Sequence, residues 1–361
     1  MSMSLARDAS RRVRARKMSN QGLRRSLCCA LQFAVLSLMM EASPAAAQSV
    51  ADFYRGRNVE VIVGYLPGAG FDAFGRLLAQ YMGKHLPGGP KLVVKNMPGA
   101  ANLSAAKHMY SSAARDGSVI GVVNPNLLNL AVLEPQTVNI DFNRFTWIGN
   151  MSRDTKVCFT WKQSGVVGLD DLKTKTLHVA GTTKGAGYIY GSILRSLFPS
   201  AVKVVLGYLS NADIWLALER GEIEAFCTGW GAMAGQKPQW LAEHKISALV
   251  QFAKEREPRL AGTPTIFELD ISDEMKRAIG LLIRTDAMTR PVFAPPGLPA
   301  DRATALRDAF WRTMQDSEFL DAARRADMEI APADAHETAR IVTEITSTPN
   351  AAIDLARKLS E

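Results

Sequence analysis

Residues 59–86 limit the fold more than any other stretch, because a strand pattern, a glycine-rich turn and a helix pattern follow one another without a break. Val59, Val61, Ile62 and Val63 form a β-branched run of the kind that fills a buried strand. Residues 64–70 then carry three glycines and one proline. From Asp72 onward, Phe74, Leu77, Leu78, Tyr81 and Met82 recur at spacings of three and four, and Pro87-Gly88-Gly89-Pro90 ends the helix. A strand, glycine loop and helix in this order leave backbone N–H groups unpaired at the positive end of a helix dipole. That is a place for an anion.

The letters narrow the choice of anion. Gly68-Ala69-Gly70-Phe71-Asp72-Ala73 fits the loose dinucleotide pattern, but the next strand, Leu92-Val93-Val94-Lys95, ends at Asn96 and supplies no acid for a ribose. A phosphate loop needs Gly-Lys-Ser/Thr, and Gly70 is followed by Phe71-Asp72. A carboxylate remains.

Three motifs in order resemble the Bug family, the periplasmic solute receptors of tripartite tricarboxylate transporters. The first is Val63-Gly64-Tyr65-Leu66-Pro67-Gly68-Ala69-Gly70-Phe71-Asp72 with Arg76-Leu77-Leu78 after it. The second is Asn96-Met97-Pro98-Gly99-Ala100. The third is Arg115-Asp116-Gly117 ahead of the hydrophobic run 119–123. The resemblance runs from about residue 52 to the C-terminus and thins after about 270. It implies an α/β, two-lobed periplasmic-binding-protein fold, each lobe a mainly parallel sheet flanked by helices, the lobes joined by two crossing strands. The chain departs from the family's pattern at four places. Gly64 and Leu66 stand where prolines stiffen the loop, Ala69 stands for a glycine, and Phe71 for a small residue. Phe71 and Ala69 favour a larger or more apolar carboxylate over the usual small dicarboxylates.

The formal charge of +8 on 361 residues is no nucleic-acid signal. Residues 1–47 hold eight Lys/Arg and two acids, a net +6, which leaves +2 for the rest. No basic block with interleaved aromatics remains. Residues 1–47 read as a removable secretory signal: a basic stretch to Arg25, an apolar stretch 27–40 and the small-residue site Ala45-Ala46-Ala47. Met18 offers a second start, and Arg24-Arg25 raises twin-arginine export. The periplasm is the expected destination. Cys158 and Cys227 are the two cysteines after the signal. In an oxidising compartment they permit one disulfide, and two buried free thiols are the alternative.

Strand patterns at 59–64, 92–95, 119–123, 145–149, 157–161, 177–180, 202–206, 223–227 and 247–252 alternate with helix patterns such as 102–113, 186–197 and 213–220. Such alternation argues for parallel α/β sheets with ligand loops at the strand C-termini. Residues 279–293 begin like a strand. Phe293-Ala294-Pro295-Pro296-Gly297 matches the family segment that crosses back into the first lobe. Amphipathic helices follow at 301–314, 318–326, 334–345 and 350–359. The expected division is lobe one at 48–155, lobe two at 156–285, and a helical return to lobe one at 286–361.

The expected ligand contacts lie on both lobes. The first loop offers Tyr65, Gly68, Ala69, Gly70, Phe71 and Asp72. The second, Ala180-Gly181-Thr182-Thr183-Lys184-Gly185-Ala186-Gly187, offers Thr182, Thr183, Lys184, Gly185 and Ala186, whose short side chains let N–H and hydroxyl groups reach a carboxylate. Tyr208 and Trp230 stand at further strand ends. Asp72 has two readings, a helix cap or a contact to a ligand hydroxyl or amine. Lys184 pairs with a carboxylate or stays solvated, and Trp230 walls the cleft or packs in the core.

The family resemblance implies a monomeric receptor that closes on an organic carboxylate and delivers it to membrane permease subunits, with no cofactor. The same fold also serves as a ligand sensor for a signalling protein. An enzymatic alternative rests on Ser104 and Lys107, which fit S-x-x-K, although no S-D-N or K-T-G follows. The five histidines show no metal-ligand spacing, and neither a catalytic residue nor a metal is expected.

Overall fold

The computed structural model describes residues 49–182, 186–208 and 210–360; the expected signal at 1–47 lies outside them. The first sheet contains β1 (Asn58–Val63), β2 (Lys91–Asn96), β3 (Val119–Val122), β4 (Thr146–Asn150) and β10 (Pro291–Ala294), in the order β2-β1-β3-β10-β4. β1 pairs parallel with β2 and β3, and β10 runs antiparallel to β3 and β4. Alternation along the strands sorts two cores. Val59, Val61 and Val63 join Val292 and Ala294 on one face, against helix α1 (Gly70–Met82) and Phe310 and Phe319 of the C-terminal region. Ile62, Trp147 and Phe293 point to the other face, against Ala105, Ala106 and Met109 of α2 (Leu103–Ser111). β3 is buried at every position and β1 at all but Asn58 and Glu60, so both read as mostly apolar runs.

The second sheet repeats the plan with β5 (Lys156–Trp161), β6 (Leu177–Thr182), β7 (Val202–Tyr208), β8 (Ala225–Gly229) and β9 (Ile246–Phe252), ordered β7-β6-β8-β5-β9. β6 is parallel to β7 and β8; β5 is antiparallel to β8 and β9. Each sheet is therefore mixed: four strands run one way, and one strand inserted by a crossing runs antiparallel to them. Val157, Phe159 and Trp161 share one face with Phe226, Trp230 and Trp240. Cys158 and Cys227 sit on the other face, directly opposite in the antiparallel register, and are joined by a disulfide. The two-thiol alternative is thereby set aside.

Two segments cross between the sheets side by side. The Met151 N–H donates to Arg290 O (3.0 Å), Thr289 N–H to Ser152 O (2.9 Å) and Asp154 N–H to Asp286 O (2.9 Å). The strand-like start expected at 279–293 is instead the end of helix α7 (Asp273–Ile283), and β10 begins only at Pro291. Ser272 caps that helix through a bond from Met275 N–H (3.2 Å), and its apolar run Ile279, Leu281, Leu282 and Ile283 is buried. A short, fully buried apolar run has no periodicity that separates helix from strand.

The C-terminal return divides. Helices α8 (Ala300–Met314) and α10 (Ala335–Thr346) pack on β4, and α9 (Ser317–Arg325) packs on α1. The last helix, α11 (Asn350–Ser360), packs on α7 and on α4 (Ala186–Leu197) of the second lobe. Arg357 also reaches from it to Leu133 O (2.9 Å) at the end of α3 (Asn126–Leu133), on the first lobe. The last helix thus touches both lobes.

The disulfide closes a loop with a sequence separation of 69 residues. Loop-closure entropy alone makes such a cross-link worth about 4 kcal/mol. Replacing Cys158 and Cys227 with alanine should lower unfolding stability on that order in urea titration, and reductant added under unfolding conditions should reproduce the loss.

Candidate ligand site

The first glycine loop is held by its own residues. Asp72 is the third residue of α1 and lies buried. Its Oδ2 accepts from Gly68 N–H (2.8 Å) and Arg76 Nε (2.8 Å), and its Oδ1 from Asn96 Nδ2 (2.8 Å). Burial alone would raise this carboxyl; the bonds from Arg76, Gly68 and Asn96 outweigh burial and hold it below the usual carboxylate range. Asn96, the first letter of the second motif, also donates to Tyr65 O (2.8 Å). Gly68 has φ +85°, which favours glycine. Ala69 keeps φ −71° as the residue before the helix, and its N–H bonds Leu66 O (3.2 Å).

This geometry shows which groups of the loop are already engaged. The N–H groups of Gly68 and Ala69 are used within the loop, and the Asp72 carboxylate is enclosed by protein donors. Asp72 is a helix-start residue reaching back to Gly68, not the N-cap itself. The Gly70, Phe71 and Asp72 N–H groups have no acceptor among the described residues. Phe71 lies between Tyr65, stacked at 4.5 Å with 10° between planes, and the Arg290 guanidinium, 4.3 Å from its ring centre.

The second loop is seen only at its ends. Thr183, Lys184 and Gly185 lie outside the described residues, and of Ala186 only its place at the start of α4 is described. Thr182 ends β6 opposite Tyr208 of β7. A Cβ on Gly187 would sit 2.6 Å from Ala180 O, so α4 starts in direct contact with β6. Tyr208 is half-buried at its strand end and packs against the core of the second lobe. Trp230 is buried in that same core, stacked with Phe159 at 6.4 Å. Ser104 and Lys107 are both exposed on α2, and no hydrogen bond joins them among the described residues. No cluster of metal-binding side chains forms among the described residues.

Between the lobes are two cavities that share a wall. One, of about 480 Å³, reaches from Phe71 and Asn124 of the first lobe to Ile189 and Tyr190 of the second. The other, of about 740 Å³, reaches from Met328 and Glu329 to Gly231, at the start of α6 (Trp230–Gln236). Lys156, Thr289 and Arg290 line both. Lys156 Nζ pairs with Asp154 (2.5 Å), and Tyr190 donates to Asp286. Burial opposes the Lys156 charge, but Asp286 and Asp154 hold its ammonium above the ordinary range. Burial pushes the Asp286 carboxyl up to about 6, even with Lys156 and Tyr190 lowering it.

Sequence reading placed none of Lys156, Asp286 or Arg290 in the site. They come from both crossings, up to 134 positions apart, and no local motif links them. The one available signal was Phe71, a bulky residue directly after Gly68-Ala69-Gly70.

No protein-family profile matches the chain. A UPF0065 protein from the gbd 5′ region of Cupriavidus necator is 24% identical over 340 residues, 89% of this chain and 93% of that one. A TctC solute binding protein from Polaromonas superposes with TM-score 0.65 at 19% identity, over 85% of this chain and 98% of its own. This chain has the fold of the TctC solute-binding proteins. MatC from Rhodopseudomonas palustris, solved with bound malate, superposes with TM-score 0.51 at 22% identity, over 85% of this chain and 99% of its own. The likeness first read in three motifs extends over both lobes of the TctC fold.

Because the folded state holds the Asp286 proton up to about pH 6 while an unfolded carboxylate releases it near 4, the folded state binds more protons between those values. Stability is lost across that window as pH rises, and the cost is fully present above it. The stability of Asp286→Asn relative to the parent should therefore rise between pH 4 and pH 7, by on the order of 3 kcal/mol. Paired urea titrations of the two proteins at several pH values measure that difference.

Proposed function

We propose that this chain is an exported solute receptor that captures an organic carboxylate between its lobes and delivers it to a permease of the tripartite tricarboxylate type. The observation that carries the reading is the position of the cavities, at the strand ends of both sheets and beside the paired crossings. Ligands of open α/β sheets bind at such strand ends. A ligand held by groups from both lobes favours the closed arrangement, since binding shifts the population toward the state it contacts best. The first loop supports a carboxylate: its Asp72 charge is taken up by Arg76, and three helix-start N–H groups are left over. The malate bound by MatC belongs to the same chemical class. The cycle needs no covalent step, and exposed Ser104 and Lys107 give no support to acyl transfer. Residues 1–47 serve as the export signal in this reading, with the periplasm as the destination.

Thermal denaturation of residues 48–361 against malate, citrate, benzoate and glutamate tests the proposal. A ligand at a hundred times its Kd stabilises by about 2.7 kcal/mol, a readily measured shift. One of these carboxylates should produce it, together with a smaller radius of gyration in X-ray scattering. A flat response across the panel, in protein freed of carried-over ligand by unfolding and refolding, would reject the receptor reading.

A further inference from the structure

Among the described residues, Arg290 is the one guanidinium that lines both cavities between the crossings, and no carboxylate lies within ion-pair distance of it; Asp154 acts on its charge from farther off. Its Nη1 donates to Thr289 O (2.8 Å), the backbone of its own neighbour. Its Nε is buried with no acceptor. Its Nη2 lies 3.8 Å from where a Cβ on Gly70 would stand, so the group faces the start of α1. The guanidinium rests over Phe71 (4.3 Å) and Phe74 (4.9 Å), and Tyr65 backs Phe71 on its other face. Asn124 fixes that Tyr65 through its hydroxyl (3.0 Å). Lys156, the other cation shared by the two cavities, is already paired with Asp154.

A charge withdrawn from water and left unpaired is costly, and a stacked, planar fork is already oriented for a bidentate acceptor. We propose that Arg290 pairs with the ligand's carboxylate, and that Phe71 is the shelf that holds the guanidinium in place for it. This rests on the receptor reading and deepens it. The ligand's anionic end is set by a side-chain clamp from the second crossing, beside the helix-start N–H groups of the first loop. The bulk of Phe71, anomalous in a glycine loop, follows from this pairing. A small residue there would leave the guanidinium without its aromatic support. The ligand class is an organic acid with at least one free carboxylate, and its methyl ester should not bind.

The test is calorimetric titration of residues 48–361 with whichever of malate, citrate, benzoate or glutamate binds best, and with its methyl ester. Arg290→Met keeps the stem that packs on Phe71 and Phe74. It should weaken binding about 30-fold or more, the cost of removing one partner of a buried charge pair. Arg290→Lys keeps the charge but not the fork and should fall between Arg290→Met and the parent. Phe71→Ala should weaken binding about 5-fold, with Phe71→Tyr restoring it. A structural role for Arg290 predicts another split, a lower melting temperature of the ligand-free protein with affinity unchanged. Parent-like affinity in Arg290→Met, or equal binding of acid and ester, overturns the clamp while the receptor reading stands. No binding by the parent itself overturns that reading, and the clamp with it.

Discussion

Asn150 holds the two lobes to one hinge. It is fully buried at the end of β4, and every part of it is engaged. Its side-chain oxygen accepts from Arg290 N–H (2.9 Å) and its side-chain nitrogen donates to Ser152 O (2.8 Å). Its backbone exchanges bonds with Ala333 in both directions at 2.9 Å. One residue thus ties the outgoing crossing to the returning one and to the segment that leads into α10. A buried amide is costly unless its donors and acceptors are all met, and here they are met by the chain segments that must stay in register. The position of Arg290 and of the whole charged group beside it follows from that register.

The crossings also explain why so many charges gather at one place. Two backbone segments paired side by side bring their side chains to the floor between two cavities, and water is largely shut out there. Asp154, Lys156, Asp286 and Tyr190 satisfy one another. Arg290 is left over, with aromatic rings where a carboxylate would ordinarily stand. A continuous apolar core beneath this floor runs from Ile62 and Phe293 on the first sheet to Cys158 and Val179 on the second. Helix α11, packed on α7 and on α3, lies over this shared core.

What was legible in the sequence follows from physical range. The strands at 59–63 and 119–122 state their own structure, because burial of both faces favours β-branched residues at most positions, with partly exposed Glu60 as the exception. The helix patterns at 186–197 and 301–314 do the same through their spacing. β10 was hidden because Pro291 opens it, a position where the missing N–H costs the ladder nothing. Trp230 and Tyr208 were ambiguous because an aromatic at a strand end looks the same whether it faces a cleft or the core. The floor between the cavities was illegible for a different reason: its members are assembled by topology, and nothing in their neighbours' letters announces the meeting.

The motif residues themselves turn out to be makers of shape. Asp72, Asn96 and Gly68 form a closed hydrogen-bonded set in which each group's partner is another motif residue or Arg76. This resolves the difficulty of a carboxylate at the mouth of an anion site. Its charge is answered by Arg76, with the Gly68 N–H and the Asn96 amide as further donors, so little of its field is left for a ligand to oppose. Gly64 belongs to the same logic, because a Cβ there would lie 2.3 Å from Asn102 Oδ1. A loop ordered in this way before a ligand arrives presents its remaining N–H groups at fixed positions, and binding does not have to offset the entropy of arranging them. Recognition can then rest on a few groups held rigidly, the helix-start backbone donors and one oriented guanidinium beside them.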